Sequence, residues 1–280
     1  MTTILVTGAT GNVGRHVVQG LLEAGVGVRA LVRNPALAAL PAEVEVVRGD
    51  IYNPAAVGQA ATGVDAAFLL WPAFTADRAA DVVTALTKQV SRIVYLSSMS
   101  VRDADPAAGG VWGELELLLT DAGADWTFLR PGGFATNTLE WADQLRTGNV
   151  VRLPSPNAAR SLIHERDIAE VAVQALLGDT HIGQSHTLTG PEVLTQAAQV
   201  ATLAKVLDRP LGVEEIPTPE ARHSMLTQGL DPAFVDSALT YWASLVTTPE
   251  PVTTTVETLL NHPARTYHQW AEDHAADFRG

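Results

Sequence analysis

The stretch Ile4-Leu5-Val6-Thr7-Gly8-Ala9-Thr10-Gly11-Asn12-Val13-Gly14-Arg15 decides how the rest of this chain is read. The apolar run Ile4 to Val6 predicts a strand, and Val13 to Leu22 places its apolar residues on one side of a helix. A glycine-rich turn therefore joins a strand to a helix. Its three glycines serve separate needs: a tight reversal, close approach of backbone to a pyrophosphate, and close packing of helix on strand. The N–H groups of the first helical turn face such a ligand, and the helix dipole favours negative charge there. The spacing is GxxGxxG, not GxGxxG, and its place directly after the first strand gives it weight.

Working outward, apolar strands alternate with helices. Val26 to Val32, Val44 to Val47, Val64 to Leu70, Arg92 to Leu96 and Trp126 to Leu129 read as strands. Pro54 to Ala61, Asp77 to Lys88 and Val111 to Ala122 read as the intervening helices. Strands that are apolar throughout argue a parallel sheet covered on both faces, so the fold class is α/β, a doubly wound sheet. In such sheets ligands lie beyond the carboxyl ends of the strands, which gathers the loops after Val6, Val32, Arg48, Leu70, Leu96 and Leu129 into one expected site.

After Phe134 the alternation breaks. Asn137 to Arg146, Asp167 to Leu177, Gln196 to Leu207, Glu220 to Gln228, Pro232 to Ser244 and Val252 to Leu260 read as helices, and Arg160 to Ile163 and His186 to Thr189 as short strands. The expected organisation is a dinucleotide-binding domain over 1–150 and a smaller, mainly helical substrate lobe over 151–280, interleaved with the main sheet.

The totals narrow the function. At 280 residues, with 46% hydrophobic and 18% charged residues, the chain has an ample core and the composition of a folded protein. No apolar run reaches the roughly 20 residues of a membrane-spanning helix. There is no basic-then-apolar leader, and the absence of cysteine rules out disulfides and thiolate metal sites, so a cytoplasmic setting is expected. A net charge of −13 argues against binding nucleic acid through phosphates. The eight histidines show no HxxxH or His-x-His spacing, so no metal is expected, and no GxSxG elbow occurs.

The glycine turn with Val28-Arg29-Ala30-Leu31-Val32-Arg33-Asn34-Pro35, Gly49-Asp50, Tyr95-Leu96-Ser97-Ser98, the run from Glu116 through Arg130-Pro131 to Phe134, and His164-Glu165-Arg166-Asp167-Ile168-Ala169 resembles the NmrA-like branch of the atypical short-chain dehydrogenases/reductases. The resemblance spans essentially the whole length. It implies a Rossmann fold, NADP(H) as cofactor, and either quinone or enone reduction or cofactor sensing. On the matching positions, Gly8, Thr10, Gly11, Asn12, Val13 and Gly14 form the pyrophosphate turn. Asp50 and Ile51 lie at the adenine, and Leu70 and Trp71 where a cofactor ribose passes. Asp50 is alternatively a cap for the helix at Pro54. Arg33 ends the second strand, where a cation accepts the 2′-phosphate of NADP, so NADP(H) is favoured over NAD(H).

The departure from the superfamily is equally informative. Its catalytic tyrosine and lysine fall on Trp112 and Glu116. An indole does not titrate, and a carboxylate near the cofactor carries the wrong charge. A Tyr-Lys alcohol dehydrogenase is excluded. Phe68, Trp71, Phe74, Met99, Trp112, Phe134 and Trp141 are the apolar candidates for a crevice that takes a flat acceptor, with Phe74, Met99 and Phe134 as its pocket. Trp112, Asn137, Ser98 and His164 are the catalytic candidates, and Asp167 reads as the N-cap of its helix. Three functions stay open: an NADPH-dependent reductase of a quinone, enone or polycyclic aromatic; an aromatic-polyketide tailoring oxygenase or hydroxylase on the same fold; and a non-catalytic NADP(H) sensor. A small aromatic or quinone-like molecule is the expected partner of the enzyme readings, and a homodimer the expected assembly.

Overall fold

The computed structural model describes residues 2–279. In chain order, β1 (Thr3–Thr7), α1 (Gly14–Glu23), β2 (Gly27–Val32), β3 (Glu45–Arg48), α2 (Pro54–Ala61), β4 (Ala66–Leu70), α3 (Ala79–Thr87), β5 (Arg92–Leu96), α4 (Val111–Asp121) and β6 (Asp125–Pro131) follow the expected alternation. Then come α5 (Ala142–Thr147), β7 (Val150–Leu153), β8 (Ala159–Arg160), α6 (Glu165–Leu177) and β9 (Gln184–Leu188). The chain continues through β10 (Leu194–Thr195), α7 (Gln196–Leu207), β11 (Gly212–Glu215), α8 (Thr218–Thr227), α9 (Pro232–Ser244), α10 (Thr255–Leu260) and α11 (Tyr267–Asp273).

Two compact units result, Met1–Pro131 with Glu165–Leu188, and Gly132–His164 with Thr189–Gly280. The division falls at Pro131 and not near residue 150. After β6 no strand joins the large sheet until β9, and the intervening residues Leu145, Val151 and Leu153 bury themselves with Trp270 and Phe278 in a second core.

The first unit carries a seven-stranded parallel sheet in the order β3-β2-β1-β4-β5-β6-β9. The order reverses between β1 and β4, the place where a doubly wound sheet opens a ligand crevice at its carboxyl edge. One face is covered by α2, α3 and α4: Leu5, Ala67, Leu69, Ile93 and Tyr95 of the strands pack with Val57, Val82, Leu86, Leu115 and Leu119. Across the sheet α1 packs on α6, and Gly20 lets them approach until an added Cβ would lie 3.0 Å from Val173.

The second unit has two small sheets, β7 paired parallel with β11 and β8 antiparallel with β10. The strand expected over Arg160 to Ile163 is shorter, with one isolated bridge from Phe134 to Ile163. Helix α6 begins at Glu165, so Asp167 lies inside its first turn, buried, and is not its cap. Among the described residues no helix is long and apolar enough to cross a membrane.

Candidate active site

The glycine turn is built as the spacing requires. Gly8 adopts φ +66°, a left-handed conformation that disfavours any side chain, and its carbonyl accepts from the Gly11 amide at 2.9 Å. A Cβ on Gly14 would lie 2.0 Å from the Gly8 carbonyl oxygen, so only glycine lets α1 start so close to the turn. Thr7 ties the turn to the end of β4: its hydroxyl accepts from the Leu70 amide at 2.8 Å and donates to the Phe68 carbonyl at 3.2 Å. Leu70 also walls the turn, since an added Cβ on Gly8 would touch its side chain at 3.2 Å.

No side chain caps the N-terminus of α1, and its first turn contains no acid. The Arg15 and His16 amides donate to the Gly11 and Val13 carbonyls at 3.1 and 3.0 Å, so it is the dipole and the amides just before them that are left for an anion. Thr10 and Asn12 are exposed, whereas the Val13 side chain belongs to the core, leaving only its backbone for a ligand. Arg15, which the sequence reading passed over, donates to the Gly11 carbonyl at 3.2 Å and to Asn12 Oδ1 at 2.9 Å, bracing the turn from outside.

At the neighbouring strand ends, Arg33 is exposed immediately after β2. The Gly49 amide donates to the Val32 carbonyl at 2.9 Å, which sets Asp50 beside that strand end. Asp50 Oδ1 accepts from the Tyr52 amide at 3.1 Å, while Asn53 caps α2 by accepting from Ala55 and Ala56. The alternative role of Asp50 as that cap is therefore wrong: Asn53 directly precedes Pro54 and reaches the orphan amides. Ile51 is half-buried against the core.

The loop after β4 sorts the aromatic candidates. Trp71 is buried, its indole N–H donating to the Thr75 carbonyl at 2.8 Å and its ring meeting Tyr52 edge to face at 5.2 Å. That indole closes the loop and is not presented to a ligand. Phe74, at the tip of the same loop, is 57% exposed and meets Trp112 edge to face at 6.2 Å. Phe68 lies wholly in the core, and so does Trp141 in the second unit, which removes both from the crevice.

Beyond β5, Ser98 and Met99 are half-buried. Ser98 Oγ accepts from the Ser100 amide at 3.2 Å and the Ser100 hydroxyl at 3.0 Å, and among the described residues it donates to nothing. Its proton is available to an acceptor. Ser97 is committed instead: its hydroxyl donates to Glu116 Oε1 at 2.5 Å.

Glu116 corrects the expectation most. It is 2% exposed and does not face a cofactor as a free anion. Arg130 donates to it twice, Nε to Oε1 at 2.9 Å and Nη2 to Oε2 at 2.6 Å, and turns its third nitrogen, Nη1, to Asp103 at 2.6 Å. Burial pulls the Arg130 pKa down, but the hydrogen bonds to Glu116 and Asp103 outweigh it and the net shift is upward. The Glu116 charge is thus met inside the protein by Arg130, which also pairs with the exposed Asp103. An acid among Leu115, Leu118 and Leu119 and a cation ending an apolar strand were the available signals of a buried pair.

The other candidates belong to the second unit. Phe134 is half-buried and Asn137 exposed on a 3₁₀ turn, Ala135–Trp141. His164 is buried, with Nε2 3.2 Å from Asp273 Oδ2 of α11.

A family model described as NAD(P)H-binding matches residues 8–179, the span from the first glycine of the turn through α6. The chain belongs to the NAD(P)H-binding family. Within it, this NAD(P)H-binding protein is of the NmrA-like, atypical reductase type. It is 39% identical to a (4-alkanoyl-5-oxo-2,5-dihydrofuran-3-yl)methyl phosphate reductase of Streptomyces griseus subsp. griseus, over 98% of this chain and 99% of that one. An NAD(P)H azoreductase of Xenophilus azovorans is 34% identical over the same shares. Among solved structures, an NADPH-dependent quinone oxidoreductase of Escherichia coli superposes with a TM-score of 0.79 at 24% identity, covering 96% of this chain and 98% of that one. A triphenylmethane reductase of Citrobacter sp. also reaches 0.79, at 19% identity over 97% and 98%. The two structures share the fold. The reductase relatives, with the intact turn, make this chain an NAD(P)H-dependent oxidoreductase, and the non-catalytic sensor reading gives way.

Proposed function

We propose that this protein is an NADPH-dependent reductase of flat, conjugated carbonyl compounds, a quinone or an enone. The observation that carries the reading is the exposed Phe74 set edge-on to Trp112, in the same sheet unit as the phosphate turn and as the Ser98 hydroxyl, which accepts from Ser100. Rings of that kind hold a planar acceptor, and one hydroxyl suffices to orient its oxygen. The relatives support the class. The Streptomyces enzyme is named for an acyl-bearing oxo-dihydrofuran, an unsaturated ring with carbonyl groups.

The residues suit the cofactor: the amides of the glycine turn and the start of α1 would take the pyrophosphate, Arg33 would take the 2′-phosphate, and Asp50 and Ile51 would border the adenosine. Leu70 walls the turn, and the Trp71 backbone that follows it would line the ribose. Bound NADPH supplies a hydride, the chemistry the protein itself lacks. Ser98 donates a hydrogen bond to the acceptor oxygen on which negative charge gathers. Phe74, Met99 and Trp112 exclude water from that ring. With an indole where the superfamily has its tyrosine, the proton that completes the reduction comes from solvent. Asn137 and His164 are not needed for this reading.

The test is a titration of NADPH and NADH against wild type and Arg33→Ala, followed by NADPH oxidation with a panel of quinones, enones and azo compounds. Loss of one charge-assisted contact predicts a fall of about ten- to hundredfold in NADPH affinity, with NADH unaffected. Equal affinity of wild type for both cofactors would contradict the Arg33 assignment. No oxidation with any member of the panel would sink the acceptor class.

A further inference from the structure

We propose that Arg130 is a positioning residue that staples the acceptor-facing loop 97–103 at both ends, and that Asp103 is its exposed, adjustable partner. The inference rests on the reading of Ser98 and Met99 as acceptor-facing. The loop leaves β5 as a continuation of the ladder on β6, the Ser97 amide donating to the Leu129 carbonyl at 2.7 Å and the Met99 amide to the Pro131 carbonyl at 3.0 Å. It then turns, the Val101 amide donating to the Ser98 carbonyl at 3.1 Å, and ends in a tight turn closed by a bridge between Arg102 and Asp105.

Arg130 reaches both ends. At the base its Nε and Nη2 hold Glu116, which in turn holds the Ser97 hydroxyl; at the tip its Nη1 holds Asp103. The two ends differ in environment. Side-chain exposure is 3% for Glu116 and 84% for Asp103, against 7% for Arg130. A buried pair is costly to break, whereas an exposed one adds little to global stability. The Glu116 end therefore fixes the fold of the strand ends, and the Asp103 end fixes where the loop between them sits. Ser98 and Met99 lie on that loop, and Ser97, immobilised by Glu116, is withheld from acting as donor in place of Ser98.

This separation makes the role measurable apart from folding. In Asp103→Asn, thermal unfolding shifts by no more than about 3 °C. Hydrogen exchange in the protein without cofactor speeds several-fold at the Met99 and Val101 amides. In the acceptor assay kcat falls about tenfold while the NADPH dissociation constant is unchanged, the pattern of a misplaced donor. Asp103→Glu, which keeps the carboxylate, restores both readouts to within about twofold of wild type. Unchanged exchange or unchanged kcat in Asp103→Asn overturns the staple. Wild-type inactivity on every acceptor would instead be a failure of the proposed function, and the exchange experiment would still decide the staple.

Discussion

Replacing Glu116 by Leu tests whether the carboxylate at the superfamily's lysine position is a structural counter-ion. The side chain accepts three hydrogen bonds, from Arg130 at 2.9 and 2.6 Å and from Ser97 at 2.5 Å, in a setting almost closed to solvent. Glu116→Leu leaves the buried guanidinium with Asp103 alone. Removing one partner of a buried pair costs about 3–5 kcal/mol, and the retained Asp103 contact favours the lower end. At about 2–4 °C per kcal/mol, the melting temperature falls by roughly 6–20 °C. The matched variant is Glu116→Leu with Arg130→Met, which replaces two charges by apolar groups. Such replacements are close to neutral, so the double variant recovers most of the loss. Thermal and urea unfolding of the two single variants and the double variant close a cycle, with an expected coupling of several kcal/mol. A single variant within about 1 kcal/mol of wild type, or a double variant as unstable as the sum of the two, would refute the reasoning.

Two further outcomes follow from buried polar atoms of the first unit. Tyr95 lies in the core edge-on to Phe128, and its hydroxyl finds no partner there; burial, with Glu116 nearby, pushes its pKa well above the ordinary phenol range. Tyr95→Phe removes an unsatisfied group and should raise stability by about 1 kcal/mol, or about 2–4 °C; a lower melting temperature would show that the hydroxyl is satisfied. His181 and His186 meet edge to face at 5.1 Å, with His181 Nδ1 and His186 Nε2 buried and unbonded. Burial lowers both pKa values, and His181 lowers that of His186 further. The unfolded chain then takes up these protons first, near pH 6.5. Their contribution is intact above that pH and is lost as pH falls from there through the folded values, at up to about 1.4 kcal/mol per pH unit for each ring. Melting temperatures from pH 7.5 to 5 should fall less steeply in His186→Phe than in wild type, and parallel curves would exclude the pair as the cause.

The parallel sheet and the phosphate turn were legible in the sequence because both rest on local pattern. Apolar runs alternating with helical periodicity leave little choice of architecture, and the glycines sit where Cβ atoms would collide, as the 2.0 Å approach at Gly14 shows. The strand bounds Arg92–Leu96 and the helix bounds Gln196–Leu207 match the sequence reading for the same reason. The sequence could also say that the tyrosine and lysine positions hold Trp112 and Glu116. What became of that glutamate was decided in three dimensions, since Arg130 meets it only when β6 lies beside β5 and under α4. Likewise Trp71 and Phe74, three residues apart, look alike as apolar rings, yet one closes its loop from inside and the other is exposed. The divide at Pro131 and the burial of Asp167 were settled by which core each segment could join. Local spacing fixes backbone geometry and the order of elements, while the partners of charges and the faces of rings depend on contacts between residues far apart in the chain.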